Sequence, residues 1–165
     1  HNGGIDGLKA ACPTAEVIAT LNLAWDYATA KAAMEDILAN YPQIDGILSQ
    51  GGAMTQAAID AYVEQGLPLV PMTGEASNGF LRVWLEQADN GLQSMAFCNP
   101  TWISVTALDT AIRILNGEEV EKEITVTVPP VTLETAKDLY RPDVNDSFWV
   151  HTYLSDAEIK ELFPK

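Results

Sequence analysis

Two short phrases constrain the fold more than anything else in the chain. The first is Asp45-Gly46-Ile47-Leu48-Ser49-Gln50-Gly51-Gly52-Ala53-Met54. The second, about one helix later, is Pro68-Leu69-Val70-Pro71-Met72-Thr73-Gly74. Each reads as a short apolar strand, a small polar or glycine-rich turn and the start of a helix. Strands alternating with helices at this spacing build a parallel α/β sheet. Turns that follow successive strands of such a sheet face one crevice, and open α/β sheets bind ligands there.

The remaining segments extend the alternation. Residues 4–11 read as the end of a helix stopped by Pro13, and residues 15–21 as a strand. Residues 26–41 form the clearest amphipathic helix, with Tyr27, Ala30, Met34, Ile37, Leu38 and Tyr41 at helical spacing. Residues 44–49 are a strand apolar enough to be covered on both faces. Residues 53–65 are a helix carrying Met54, Ala57, Ala61 and Tyr62 on one side, with Gly66 as its natural stop. Residues 69–72 are a strand, 78–86 a helix and 92–98 a strand. Residues 101–115 are a helix apolar nearly all round, which needs cover on more than one side; Asn116-Gly117 ends it. Residues 123–128 alternate as a strand of period two, broken by Pro129-Pro130. The tail has little periodicity until Ser155-Asp156-Ala157-Glu158, a capping box for a short last helix.

Composition narrows the function classes. At 165 residues, with 47% hydrophobic and 19% charged residues, the chain is long enough and apolar enough to bury a sizeable core. A formal charge of −14 repels phosphate backbones and anionic membranes, so neither nucleic acid nor a membrane surface is an expected partner. No apolar run approaches the ~20 residues of a membrane span. The opening His1-Asn2-Gly3-Gly4 has neither Met nor the basic and apolar regions of a signal peptide, so the chain reads as a processed piece or fragment of a longer protein. Cys12 and Cys98 have no metal or redox spacing and read as buried small hydrophobes rather than a disulfide. His1 and His151 are lone histidines, read as solvent-facing or packed with the tail. Gly-x-Ser-x-Gly, Walker, His-Glu-x-x-His and Gly-x-Gly-x-x-Gly patterns are missing, and no catalytic residue, metal or cofactor is expected.

Several phrases recur in the order and at the places of motifs in one known family. They are Gly7-Leu8-Lys9-Ala10, Ala24-Trp25-Asp26, Gln50-Gly51-Gly52, Pro71-Met72-Thr73-Gly74, Phe97-Cys98-Asn99-Pro100 and Leu115-Asn116-Gly117-Glu118-Glu119-Val120. Through them residues 4–132 resemble periplasmic sugar-binding proteins of ABC transporters, of the type I, ribose-binding-protein-like kind, mostly their C-terminal lobe. The resemblance implies a doubly wound parallel α/β lobe, a fragment of a two-lobe protein. Residues 1–98 would be its core, 99–122 a crossover helix that packs on the other lobe, 123–132 a return strand and 133–165 a tail. It also implies a periplasmic receptor that captures a small polar solute, a sugar or polyol, between two lobes. Hinge closure would then present it to the membrane permease. The N-terminal lobe would come from a longer parent chain, a nicked second polypeptide or an oligomer neighbour.

By the same resemblance the pocket residues are Trp25, Gln50, Gly51, Thr73 and Cys98, with Glu75, Asn78, Asn99 and Trp102 as second choices. Trp25 stands where the family stacks an aromatic on a sugar ring; it would otherwise be core. Ribose-type receptors hold ligand hydroxyls with Asn, Asp and Gln where this chain has Gly51, Thr73 and Cys98. A buried hydroxyl left unpaired costs about 1–3 kcal/mol, which argues against a standard pentose or hexose in the usual pose. Gly51 and Gly52 fit a tight turn and equally a helix start that binds an anion or hydroxyl. Thr73 fits a pocket hydroxyl or a helix cap, and Cys98 a pocket wall or core. Glu75 fits a partner for a cation or hydroxyl, or a charge favoured at a helix N-terminus. Two rival readings share the fold: the effector-sensing domain of a lactose-repressor-type regulator, and a sugar-modifying α/β enzyme.

Overall fold

The computed structural model describes residues 2–165; His1 lies outside the described residues. In chain order the elements are α1 (Asn2–Ala11), α2 (Tyr27–Asn40), α3 (Gly52–Glu64), β1 (Met72–Glu75), α4 (Asn78–Gln87), β2 (Ser94–Phe97), α5 (Ile103–Leu115), α6 (Leu133–Leu139) and α7 (Asp156–Leu162). β1 and β2 pair in parallel, Met72 opposite Ser94 and Glu75 opposite Phe97. Ile47 extends the sheet beyond β1 by a parallel bridge to Met72. Its N–H donates to the Pro71 carbonyl at 2.9 Å and its carbonyl accepts from the Thr73 N–H at 3.0 Å. On the far side Val131 pairs antiparallel with Ala96. The parallel α/β lobe expected from the alternation is therefore present, with a shorter ladder than expected.

Helix positions follow local chemistry. Asp26 caps α2 by accepting the Thr29 N–H at 2.8 Å, and Ser77 caps α4. The Ser155/Glu158 capping box starts α7 as expected. α2 and α3 meet through small residues, with Ala30, Ala57, Ala58 and Ala61 all buried. Two polar ties rim that contact: Tyr27 donates to Asp60 at 2.6 Å and Lys31 pairs with Glu64. The Asp60 carboxylate pushes the Tyr27 phenol up to about 12. The core gathers Ile59, Tyr62, Met72, Phe80, Trp84 and Ala96, joined by Val131, Val144, Phe148, Val150 and Ile159 from the last third of the chain.

Several strand expectations change. Residues 15–21 make no ladder, and Val17 and Leu21 are exposed. Strand identity needs a neighbour's N–H and C=O groups; here a largely apolar cavity of about 320 Å³ separates this segment from residues 44–50. The strand expected over 44–49 shrinks to the Ile47 bridge. The strand expected over 69–72 instead begins at Met72, because Pro71 has no N–H to give a ladder, and it runs through Thr73 and Gly74 to Glu75. Residues 123–128 form no strand despite their alternation; only Val131 is paired. α6 was not foreseen: Thr132 and Thr135 cap each other reciprocally and start it. Both cysteines are free, but only Cys98 is buried and Cys12 is exposed.

Candidate ligand-binding site

The parallel elements all end at one edge of the sheet, at Ser49-Gln50-Gly51, Glu75-Ala76-Ser77 and Cys98-Asn99. Backbone contact is tightest where α3 starts. A Cβ added to Gly52 would stand 2.5 Å from the Glu75 carbonyl oxygen, and one added to Gly51 would stand 2.7 Å from the Trp25 ring. Only glycine allows the first turn of α3 to press on the end of β1 while Trp25 lies against that turn. Ala24 and Trp25 take the left-handed backbone region, φ +50° and +61°, which turns the chain into the Asp26 cap. Trp25 is 61% exposed, so its alternative reading as core does not hold; its ring is offered beside the strand ends. Gln50 is exposed on the same turn.

Thr73 lies inside β1 rather than in a turn, and its hydroxyl is occupied. It donates to the Ser49 carbonyl and accepts the Ser49 N–H, both at 2.9 Å, supplying a side-chain rung between the two extended segments. Its alternative as a helix cap is corrected: Ser77 caps α4. Glu75 ends β1 and is half-buried. Burial raises its carboxyl above the ordinary value, opposed by the Asn99 backbone N–H. It does not lie in the first turn of α4, which has no acidic residue, so the macrodipole reading of Glu75 falls.

Cys98 is 6% exposed, and its thiol lies 3.3 Å from the Val150 carbonyl and 3.4 Å from its own neighbour's, Asn99. Burial, with the nearby Glu75 charge, pushes the thiol up to about 11, so it stays a neutral group at neutral pH, and it belongs to the buried core cluster. Asn78 has a different task from the one expected. It is fully buried; its amide donates to the carbonyls of Arg141, Val144 and Asn145 and accepts the Arg141 N–H at 2.9 Å. It clips the tail to α4 and has no group left for a ligand. Asn99 is exposed and Trp102 half-buried, the latter stacked on Tyr153 at 5.1 Å and 15°.

The tail's presence at this edge was not foreseen. The Asn78 N–H donates to the Phe148 carbonyl at 2.7 Å, and the Val150 N–H to the Ala76 carbonyl at 3.4 Å; Ser77 and Trp149 form an antiparallel bridge. Residues 148–153 therefore run across the strand ends and bring His151 and Tyr153 there. Nothing in the tail's pattern announces this, because its fixed points are backbone groups and one distant asparagine. Among the described residues no group of His, Cys, Asp and Glu could hold a metal ion, and no helix is long and apolar enough to cross a membrane. Aromatic faces, a half-buried carboxyl of raised pKa and exposed amides suit hydrogen bonding and stacking with a polar solute.

The sequence profile of the periplasmic binding protein domain matches residues 1–119. No curated protein matches the chain. Solved structures with the same fold include an ABC transporter periplasmic solute-binding protein from Actinobacillus succinogenes 130z with bound D-allose. It has a TM-score of 0.65 and 24% identity, covering 83% of this chain and 48% of that one. The periplasmic binding component of the arabinose ABC transporter from Shewanella sp. ANA-3, bound to L-arabinofuranose, gives 0.69 and 20%, covering 83% and 46%. A carbohydrate transporter solute-binding protein from Agrobacterium radiobacter, in complex with D-arabinose, gives 0.66 and 20%, covering 97% and 48%. The chain thus spans about half the length of these structures.

Proposed function

Since the chain belongs to the periplasmic binding protein family, we propose that it is one lobe of the solute-binding component of an ABC importer, taking a sugar or polyol into a cleft at its strand-end edge. One observation carries this reading: the exposed Trp25 ring lies against Gly51 on the same sheet edge as the half-buried Glu75. An aromatic face takes the apolar side of a sugar ring, and a carboxylate accepts its hydroxyls. Trp25, Gln50, Glu75, Asn99 and Trp102 are the contacting groups, and Gly51 and Cys98 the wall. Thr73 holds the wall together from behind. The solute lies between this lobe and a second one, whose closure about a hinge encloses it and forms the surface that docks on the membrane permease, in the periplasm.

α5 is where the second lobe packs. No residue of this 13-residue helix is buried, and a groove of about 490 Å³ lined by Ile103, Ala107, Ile114, Ile124 and Val126 runs beside it. Transporter components among the structural neighbours favour the receptor over a repressor's sensing domain or an enzyme, neither of which any feature of the site favours.

The test is a thermal-shift series on the full-length parent with D-allose, L-arabinose, D-fucose, a polyol, amino acids and small cations. A ligand held only by the folded state adds about 2.7 kcal/mol of stability at a hundredfold excess over its Kd. A sugar or polyol is expected to give that shift, and Trp25→Ala to reduce it. A response to cations or amino acids alone would overturn the sugar assignment and move the ligand class towards a partner for Glu75.

A further inference from the structure

We propose that the apolar cavity between residues 15–21 and 44–50 seats one further β-strand, supplied by the parent chain just ahead of α1 and running parallel to β1. The backbone on both banks of this cavity is open. On one bank, Ile47 turns its N–H and carbonyl to Pro71 and Thr73, and Ser49 turns both of its own to the Thr73 hydroxyl. Successive residues of a strand turn these groups to opposite sides. Gly46 and Leu48 therefore face away from β1, and neither has a hydrogen-bond partner among the described residues. On the other bank, no N–H of residues 16–21 has a partner among the described residues. Of their carbonyls only that of Ile18 accepts a bond, from the Tyr41 hydroxyl at 3.3 Å. Residues 16–21 and 46–48 line the same space.

A strand answers both banks at once, because a central strand offers its backbone groups on alternate sides. A small apolar molecule would fill the volume and leave both rows of N–H and C=O groups bare, and a helix spends its own backbone groups internally. The two faces of the cavity set the strand's chemistry. Ile47 and Leu48 are consecutive and so point to opposite faces. Leu48 meets α1, where a Cβ added to Gly4 would stand 3.0 Å from its Cδ2. Ile47 packs on the core cluster that holds Met34 and Ala58. A strand beside them is covered on both faces and is apolar on both. α1 itself has no buried residue, as expected of a helix whose underlying sheet lacks a member. Ile5 and Leu8 of α1 line the cavity. A strand that enters α1 and returns as residues 15–21 makes a β–α–β unit, the connection that parallel strands require. The chain spans about half the length of its structural neighbours, which leaves chain in the parent to supply this strand. A second copy is disfavoured as the source, because it would bring a further formal charge of −14 to the same surface.

The experiment is amide hydrogen exchange and NOE spectroscopy on the full-length parent, with no solute added. The Thr73 amide, bonded inside the sheet to the Ile47 carbonyl, is the reference. The expected result is protection of the Gly46 and Leu48 amides within about tenfold of that of Thr73, with alternate amides of residues 16–21 protected alongside them. NOEs should join the Leu48 amide to the segment that enters α1. That segment should be a run of about five apolar residues, rich in Val and Ile and without Pro. Gly46 and Leu48 amides that exchange more than about tenfold faster than this would overturn the strand itself. Protected amides with NOEs to another segment of the parent, or to a second copy in a mixed-label sample, would overturn its source. Sugar binding enters none of these readouts, so their failure leaves the receptor reading standing.

Discussion

Glu75 shows how the burial of a single carboxyl weighs on stability. Burial lifts its carboxyl above the 4.5 of the free side chain, so the folded state holds the proton more tightly than the unfolded chain. The resulting stabilisation is fully present below the unfolded value and is lost as pH rises through the higher folded one. At neutral pH the residue therefore carries a desolvated charge that the fold alone would not choose. Glu75→Gln should be more stable than wild type at pH 7 and no more stable at pH 4, as read by urea denaturation at both values. An equal difference at the two pH values would show that burial of the charge is not the cause. Asn78 marks the opposite case. Asparagine beside a candidate pocket reads as a ligand group from the sequence. What decides its task is a set of three tail carbonyls 63 to 67 positions away, and no local pattern encodes those. Thr73 misled by three residues for a nearer reason. The phrase Pro71-Met72-Thr73-Gly74 looks like a turn, yet the ladder cannot begin until after Pro71, so the strand runs on to Glu75 and the turn falls at Ala76-Ser77.

Among the elements, the helices other than α6 were legible, while of the strands only β2 fell where expected, for one physical reason. A helix satisfies its own backbone, and its stripe and caps are local: Asp26 and Ser155 mark starts, and Ala30 and Met34 mark the buried face. A strand is defined by what lies beside it. Residues 15–21 and 123–128 have apolar character or alternation and no partner, so the same pattern gives unpaired chain. α5 was legible in a third way: its all-round apolar surface called for cover that the described chain does not supply. Leu108 is 63% exposed and Leu115 85%. If a second lobe covers this helix, Leu108→Glu should leave the stability of the 165-residue chain within about 0.5 kcal/mol, as for an ordinary surface change. In the full-length parent the same change should cost about 2–4 kcal/mol, from lost apolar burial and a charge forced into the interface. Chemical denaturation of both proteins checks it; equal effects in the two would mean that nothing covers Leu108 in the parent.

For the molecule as a whole, the last 33 residues matter more than their pattern announces. The family profile ends at residue 119, which would allow the tail to be an appendage. The packing says otherwise. Val144, Phe148, Val150 and Ile159 are each no more than 6% exposed and join the cluster built on Phe80 and Trp84. Phe148 also meets Phe163 edge-on at 5.4 Å, and Asn78 ties the tail's entry to α4. On the surface, Arg141 bridges Asp143 and Asp156; these exposed ion pairs fix the tail's course more than they stabilise it. Each large apolar side chain buried from water contributes about 1.5–3 kcal/mol, so four of them supply an amount comparable with the whole stability of an ordinary domain, about 5–15 kcal/mol. Deleting residues 143–165 should therefore abolish the cooperative thermal transition and the near-ultraviolet circular dichroism of the lobe rather than lower its midpoint by a few degrees. A truncated chain that still melts cooperatively within about 5 °C of the intact one would make the tail an appendage. It would also remove the scaffold that holds His151 and Tyr153 at the strand ends. The strand-end edge and the core thus share one support, since the backbone that seats Phe148 and Val150 in the interior is the backbone that crosses the strand ends.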